Sequence, residues 1–115
     1  MRKLCYSPEY KRKILAMKER LIKEYGKETQ VRVQKKITTR LRHLCNYEES
    51  GVSLRNWYGI DTDYRYVYVE HNYVFYRFDD ANIYIVNIYN EREDFMYQLF
   101  GICPHSEESE EYWGE

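Results

Sequence analysis

The chain has 115 residues, 43% of them apolar, and a formal net charge of −1. That is the size of one domain with a modest core. No stretch approaches the ~20 apolar residues of a membrane span, and Met1–Tyr6 has no apolar run suited to secretion. Cys5, Cys45 and Cys103 lack metal-ligand spacing, and their odd number points to reduced thiols in a cytoplasmic setting. No metal or cofactor is expected.

The charges are segregated. Residues 1–43 hold 14 Lys/Arg and 4 Asp/Glu, residues 44–104 hold 4 and 10, and residues 105–115 hold five acids. Such asymmetry suggests a nucleic-acid or acidic-protein contact through the basic half, or two solvated helix faces. Aromatics make up 17% of the chain, and 14 of them are tyrosines, nine of these between Tyr58 and Tyr97. Tyrosine buries area while keeping a polar tip, which suits a sheet with one wet face.

In chain order, Leu4-Cys5-Tyr6 reads as an edge strand. Ser7-Pro8-Glu9 is a helix start, with a serine cap, proline at the first position and an acid at the positive dipole end. Tyr10, Ile14, Met17, Leu21 and Tyr25 form its apolar stripe, and Gly26 ends it. Thr29 is positioned to cap a second helix with the stripe Val33, Ile37, Leu41 and Leu44. A short link makes the two an antiparallel hairpin. His43, beside Leu44, is expected to be a partly buried structural residue. Residues 46–63 read as an irregular loop from which Val52, Leu54, Trp57 and Ile60 tuck into the core.

Three runs of β-branched and aromatic residues come next, Tyr64–Val69, Tyr73–Phe78 and Ile83–Tyr89, cut by two polar turns. They predict an antiparallel meander. Strict alternation places Ile83, Ile85, Asn87 and Tyr89 on one face and Tyr84, Val86 and Ile88 on the other. Asn90-Glu91-Arg92-Glu93 has the form of a capping box. It opens a helix with Phe95, Leu99 and Phe100 on its buried face, closed by Gly101 and Pro104. The expected architecture is α+β: an N-terminal helical hairpin packed on a three- to four-stranded antiparallel sheet, with a short C-terminal helix. The domain is expected to span residues 1–104, followed by an acidic tail at 105–115 that carries Tyr112 and Trp113.

This order of elements resembles the RelE/ParE family of toxins from bacterial type II toxin–antitoxin modules. The residues that carry the resemblance are Tyr6-Ser7-Pro8, Asn72-Tyr73-Val74-Phe75-Tyr76-Arg77, and Ile85 to Phe95, from about Leu4 to Ile102 in all. The resemblance implies a dedicated antitoxin that covers the working surface with a helix or an added strand. RelE-like members cut messenger RNA in the ribosomal decoding site, and that is the leading expectation. ParE-like members poison DNA gyrase and need no catalytic residues, which is the alternative. A degenerate member that only binds its antitoxin is a third reading.

RelE-like cleavage uses the RNA's own 2′-hydroxyl. The protein moves protons and stabilises the charge on phosphate. Arg65, Arg77 and Arg92 are the candidate phosphate-stabilising groups, because a guanidinium fork matches phosphate. Tyr97 corresponds to a family tyrosine that stacks on a base or handles a proton. Tyr73 is a candidate for base stacking, and Lys35, Lys36 and Arg40 for tracking RNA phosphates. The tyrosine-rich face reads equally as core plus antitoxin interface. Two positions depart from the active pattern: Tyr73 stands where many members have arginine, and Asn90 where many have histidine. Asparagine is no general base and serves as a helix cap. His71, in a Glu-His-Asn turn, is a lesser candidate for the base.

Overall fold

Ser7 starts the first helix and also ties it to the sheet. In the computed structural model, which describes residues 1–93, its hydroxyl accepts the Tyr10 N–H at 3.0 Å and donates to the Val86 carbonyl at 2.6 Å. Its own N–H donates to the Ile85 carbonyl at 3.0 Å. The chain runs β1 (Lys3–Tyr6), α1 (Pro8–Tyr25), α2 (Lys27–Leu44), β2 (Val52–Ser53), α3 (Leu54–Tyr58), β3 (Arg65–Val69), β4 (Asn72–Phe78) and β5 (Asn82–Asn90). One sheet contains all five strands in the order β1-β5-β4-β3-β2. β1 runs parallel to β5, and the other pairings are antiparallel.

The architecture is α+β, as expected, with more strands than the sequence indicated. Leu4–Tyr6 is an edge strand, and it pairs in parallel because the α1–α2 hairpin carries the chain across the sheet before β5. The 46–63 loop supplies β2 and α3. Ser53 caps α3 by accepting the Asn56 N–H, and Gly59 closes it at φ +69°. Three local expectations fail. Thr29 is not a cap: α2 begins one residue after Gly26, whose φ of +97° turns the chain between helices and leaves no room for a longer link. Trp57 is 75% exposed rather than tucked in. His43 is exposed, with its ring stacked on Tyr47 at 4.6 Å.

The helix stripes fall as the periodicity predicts, except that Tyr25 is exposed. Met17, Leu21, Val33, Ile37, Leu41 and Leu44 are buried against Val67, Val74, Tyr76, Ile83, Ile85 and Ile88 of the sheet. The opposite face carries a smaller cluster of Leu54, Tyr66, Phe75 and Tyr89. Strict alternation fails in β5. Phe75 pairs with Asn87 and Tyr76 with Ile85, so Val86 is an extra residue. This bulge rotates the remainder of the strand by one position. Ile83, Ile85 and Ile88 therefore share the helix face, while Asn87 and Tyr89 turn to the aromatic face. The expected C-terminal helix and the domain boundary at residue 104 lie outside the described residues. The capping box that would start the helix is formed: Asn90 N–H donates to Glu93 Oε2 at 2.9 Å, and Asn90 Oδ1 accepts Arg92 N–H at 3.0 Å.

Tyr76 is fully buried and fastens the 46–51 segment. Its hydroxyl accepts the Gly51 N–H at 2.9 Å and donates to the Glu48 carbonyl at 2.8 Å. Tyr76→Phe leaves both backbone groups without that partner and should cost about 1–3 kcal/mol. Gly51→Ala should also destabilise, because its Cβ would stand 2.5 Å from the Tyr76 hydroxyl and 2.7 Å from the Tyr66 carbonyl. Thermal melts check both: each variant should lose roughly 4–8 °C per kcal/mol.

Candidate functional site

The proposed cleavage arginines are not brought together. Arg65 pairs across the ladder with Tyr76, so its side chain leaves on the helix face of the sheet. It donates to the Glu49 and Gly51 carbonyls at 3.2 and 3.0 Å, tethering the same segment that Tyr76 holds. Arg77 is next to Tyr76 and points from the opposite face. It is exposed, with Nε 3.4 Å from Asp63 Oδ2. Arg92 lies past the end of β5 at the far end of β4 from Arg77 and is exposed. Tyr97 lies outside the described residues. Three cations spread over two faces and both strand ends cannot converge on one phosphate, which is the geometric requirement for charge stabilisation.

The residues considered for RNA contact are also divided. Tyr73 is half-buried on the aromatic face, 5.2 Å from the Tyr66 ring in a T-shaped contact and 5.1 Å from the Tyr68 ring. Lys35, Lys36 and Arg40 belong to α2, which covers the other face. Lys36 pairs with Glu70 at 3.5 Å, and Arg40 Nη1 lies 3.3 Å from Ser50 Oγ. Lys35 is exposed. No continuous track joins these cations to the tyrosines among the described residues. The Asn90 junction is taken up by the capping box, as its residue type suggested.

The structure assembles a different group of polar side chains at the β3–β4 turn. Val69 pairs with Asn72, so Glu70-His71 is a two-residue hairpin loop. Both residues have positive φ, +50° and +66°. That is the tight turn usually built with Asn-Gly, and non-glycine residues there carry some strain. The turn is held from two sides. Glu70 pairs with Arg32 and Lys36 of α2 at 3.6 and 3.5 Å. The His71 carbonyl accepts the Glu91 N–H at 2.8 Å, and His71 Nδ1 lies 3.0 Å from Glu91 Oε2. The Tyr68 hydroxyl donates to the other Glu91 oxygen. That hydrogen bond holds the Glu91 carboxyl below the usual range, and it pushes the Tyr68 phenol up to about 12. Nearby, Lys13 Nζ donates to the Ile88 carbonyl at 3.2 Å and stands 3.8 Å over the Tyr89 ring, and burial lowers its pKa.

Of these groups, Lys13, Arg32, Glu70, His71 and Glu91 line a groove of about 890 Å³ between α1, α2 and the hairpin end of the sheet. Its wall carries Arg12, Lys13, Arg20, Arg32 and Arg92. Sequence reading singled out His71 and Arg92 but missed Tyr68, Glu91 and Lys13 as members of one site. The Glu-His pair between two alternating runs was the available signal for the hairpin loop. Nothing local connects that loop to α1. Among the described residues no cluster suits a metal ion, and no helix is long and apolar enough to cross a membrane.

The fold of this chain is similar to that of a chain in a solved toxin–antitoxin structure. A chain of the chromosomal ParDE TA system from P. aeruginosa matches with a TM-score of 0.64. The match covers 78% of this chain and 96% of that one at 15% identity. No curated protein sequence matches the chain. A model of the ParE toxin of the type II toxin–antitoxin system parDE matches residues 4–95. The chain therefore belongs to the ParE toxin family of type II toxin–antitoxin systems.

The Tyr68–Glu91 bond predicts a titration. Folded-state phenol ionisation at Tyr68 should centre near 12, against about 10 for a free tyrosine. The raised value means the bond's contribution is complete below about pH 10 and is lost as pH rises through the folded value. The depressed Glu91 value means its contribution is present at neutral pH and is lost as pH falls below the usual carboxylate range. An ultraviolet titration of Glu91→Gln, with Tyr68→Phe subtracted from each chain, should move the Tyr68 midpoint down toward 10.

Proposed function

We propose that this chain is the toxin of a type II toxin–antitoxin pair that acts by binding DNA gyrase rather than by cutting RNA, and that a cognate antitoxin neutralises it in the cell. Membership of the ParE family supports this target. The observation that carries the reading is the separation of Arg65 and Arg77 onto opposite faces of the sheet. A binding toxin has no need of a converged acid–base set. It needs a rigid scaffold and exposed recognition groups. This chain offers Trp57, at 75% exposure, and the neighbouring Tyr58 at 47%. Aromatic anchors of that kind are enriched where protein interfaces concentrate their energy.

The RelE-like alternative, ribosome-dependent cleavage of messenger RNA, has less support. Tyr73 occupies the middle-strand position and Asn90 the junction, and neither supplies a cation or a general base. Arg65 serves the 49–51 segment instead.

Two measurements test the reading. After induction without antitoxin, DNA synthesis should fall and cells should filament while amino-acid incorporation continues. An immediate arrest of protein synthesis overturns it. In a supercoiling assay, purified chain should inhibit gyrase, and Arg77→Ala should stay within about fivefold of wild type, as expected for a surface ion pair worth at most about 1 kcal/mol. A loss of toxicity of a hundredfold or more in Arg77→Ala, with the fold intact, would restore the catalytic assignment.

A further inference from the structure

We infer that the groove between α1, α2 and the β3–β4 turn is the docking site of the chain's own acidic segment, residues 105–115. Three observations meet there.

The first is where the chain goes. Glu93, the last described residue, lies on the groove's wall. The tail's first glutamate, Glu107, comes 14 positions later. Even at the helical rise these residues span about 21 Å, and fully extended about 46–50 Å. Reach is therefore sufficient by either measure.

The second is charge. Each acid on the groove wall already has a partner: Glu70 has Arg32 and Lys36, Glu91 has Tyr68 and His71, and Glu93 has the Asn90 N–H. Among the described residues, Arg12 and Arg20 pair with Glu9 and Glu24 of their own helix, outside the groove wall. Exposed pairs along a helix are weak, about 0.3–0.5 kcal/mol, and exchange readily for another carboxylate. Among the described residues the wall thus sets five cations, Arg12, Lys13, Arg20, Arg32 and Arg92, against three carboxylates, Glu70, Glu91 and Glu93, an excess of two positive charges. Residues 105–115 contain five glutamates and no Lys or Arg.

The third is apolar surface. Ala16 and Tyr25 of α1 are exposed on the same wall, and Tyr25 keeps 64% of its surface in water. The acidic run includes Tyr112-Trp113, an aromatic pair of the kind that anchors a charged peptide. Acids for the arginines and rings for Tyr25 lie within one short segment. The tail is then a built-in occupant, and a partner entering this groove must displace it. This inference does not depend on gyrase being the target.

Carbodiimide cross-linking of the full chain tests it, because that reagent joins only amines and carboxylates already in contact. An equal mixture of ordinary and heavy-nitrogen chains separates links within a chain from links between chains. The expected result is amide links from Lys13 or Lys36 to Glu107–Glu111, all within one isotope. Arg12→Glu with Arg20→Glu should reduce them at least about fivefold, since each reversal replaces attraction by repulsion at contact range, with circular dichroism unchanged. Mixed-isotope links would show the tail of a second copy in the groove, and links only to other lysines would show a different dock; either overturns the proposal. A fluorescence readout checks it separately. In Trp57→Phe, Trp113 is the only tryptophan. Its emission should be blue-shifted at low salt and move to the red at 1 M salt, where screening acts within ~3 Å. Fully solvated emission at low salt would overturn the proposal as well.

Discussion

The bulge at Val86 and its attachment to Ser7 determine how the rest of the molecule is arranged. An ordinary ladder would alternate without interruption through β5, and Ile88 would then face away from Ile83 and Ile85. One extra residue puts all three on the helix face, and the Ser7 hydroxyl takes up the carbonyl of that extra residue. The same serine caps α1, so the helix origin and the break in the ladder are one structural event. A short side chain thus satisfies two sets of backbone groups that would otherwise be left without partners, one at a helix start and one at a bulge.

The division of the sheet into two unlike faces stems from that placement. One face is aliphatic and is covered by the helical hairpin. The other is aromatic, with Tyr66, Tyr73, Phe75 and Tyr89 in mutual ring contact. Because the pleat assigns neighbouring residues to opposite faces, residues close in sequence or in strand pairing can be functionally remote. Arg65 and Arg77 illustrate this: the partner of Arg65 across the ladder is the immediate neighbour of Arg77. Their side chains therefore leave the sheet on different faces although the two residues are close along the ladder.

The polar cluster at the β3–β4 turn has a different origin. Two non-glycine residues are held at positive φ because each has a remote partner, Glu70 on α2 and His71 beside Glu91 at the end of β5. Local strain is thereby offset by tertiary contacts. The turn links the helical layer, the hairpin and the end of β5, and so it borders the groove between α1, α2 and the sheet.

Much of the scaffold was legible in the sequence, because it rests on local rules. Ser7-Pro8-Glu9 specified a helix start, the spacing of Val33, Ile37, Leu41 and Leu44 a buried stripe, the alternating runs the strands, and Asn90 with Glu93 a capping box. Those patterns, together with Tyr6-Ser7-Pro8 and the strand from Asn72 to Arg77, were enough for the RelE/ParE resemblance. What the sequence could not decide depends on register and distance. The parallel pairing of β1 with β5, the bulge at Val86, the burial of Leu54 but not Trp57, and the approach of Glu91 to Tyr68 and His71 each join residues far apart in the chain. Side-chain period alone assigned Asn87 and Tyr89 to the face of Ile83. Only the ladder, with one residue inserted, shows that they belong to the other, and so decides which groups share a surface.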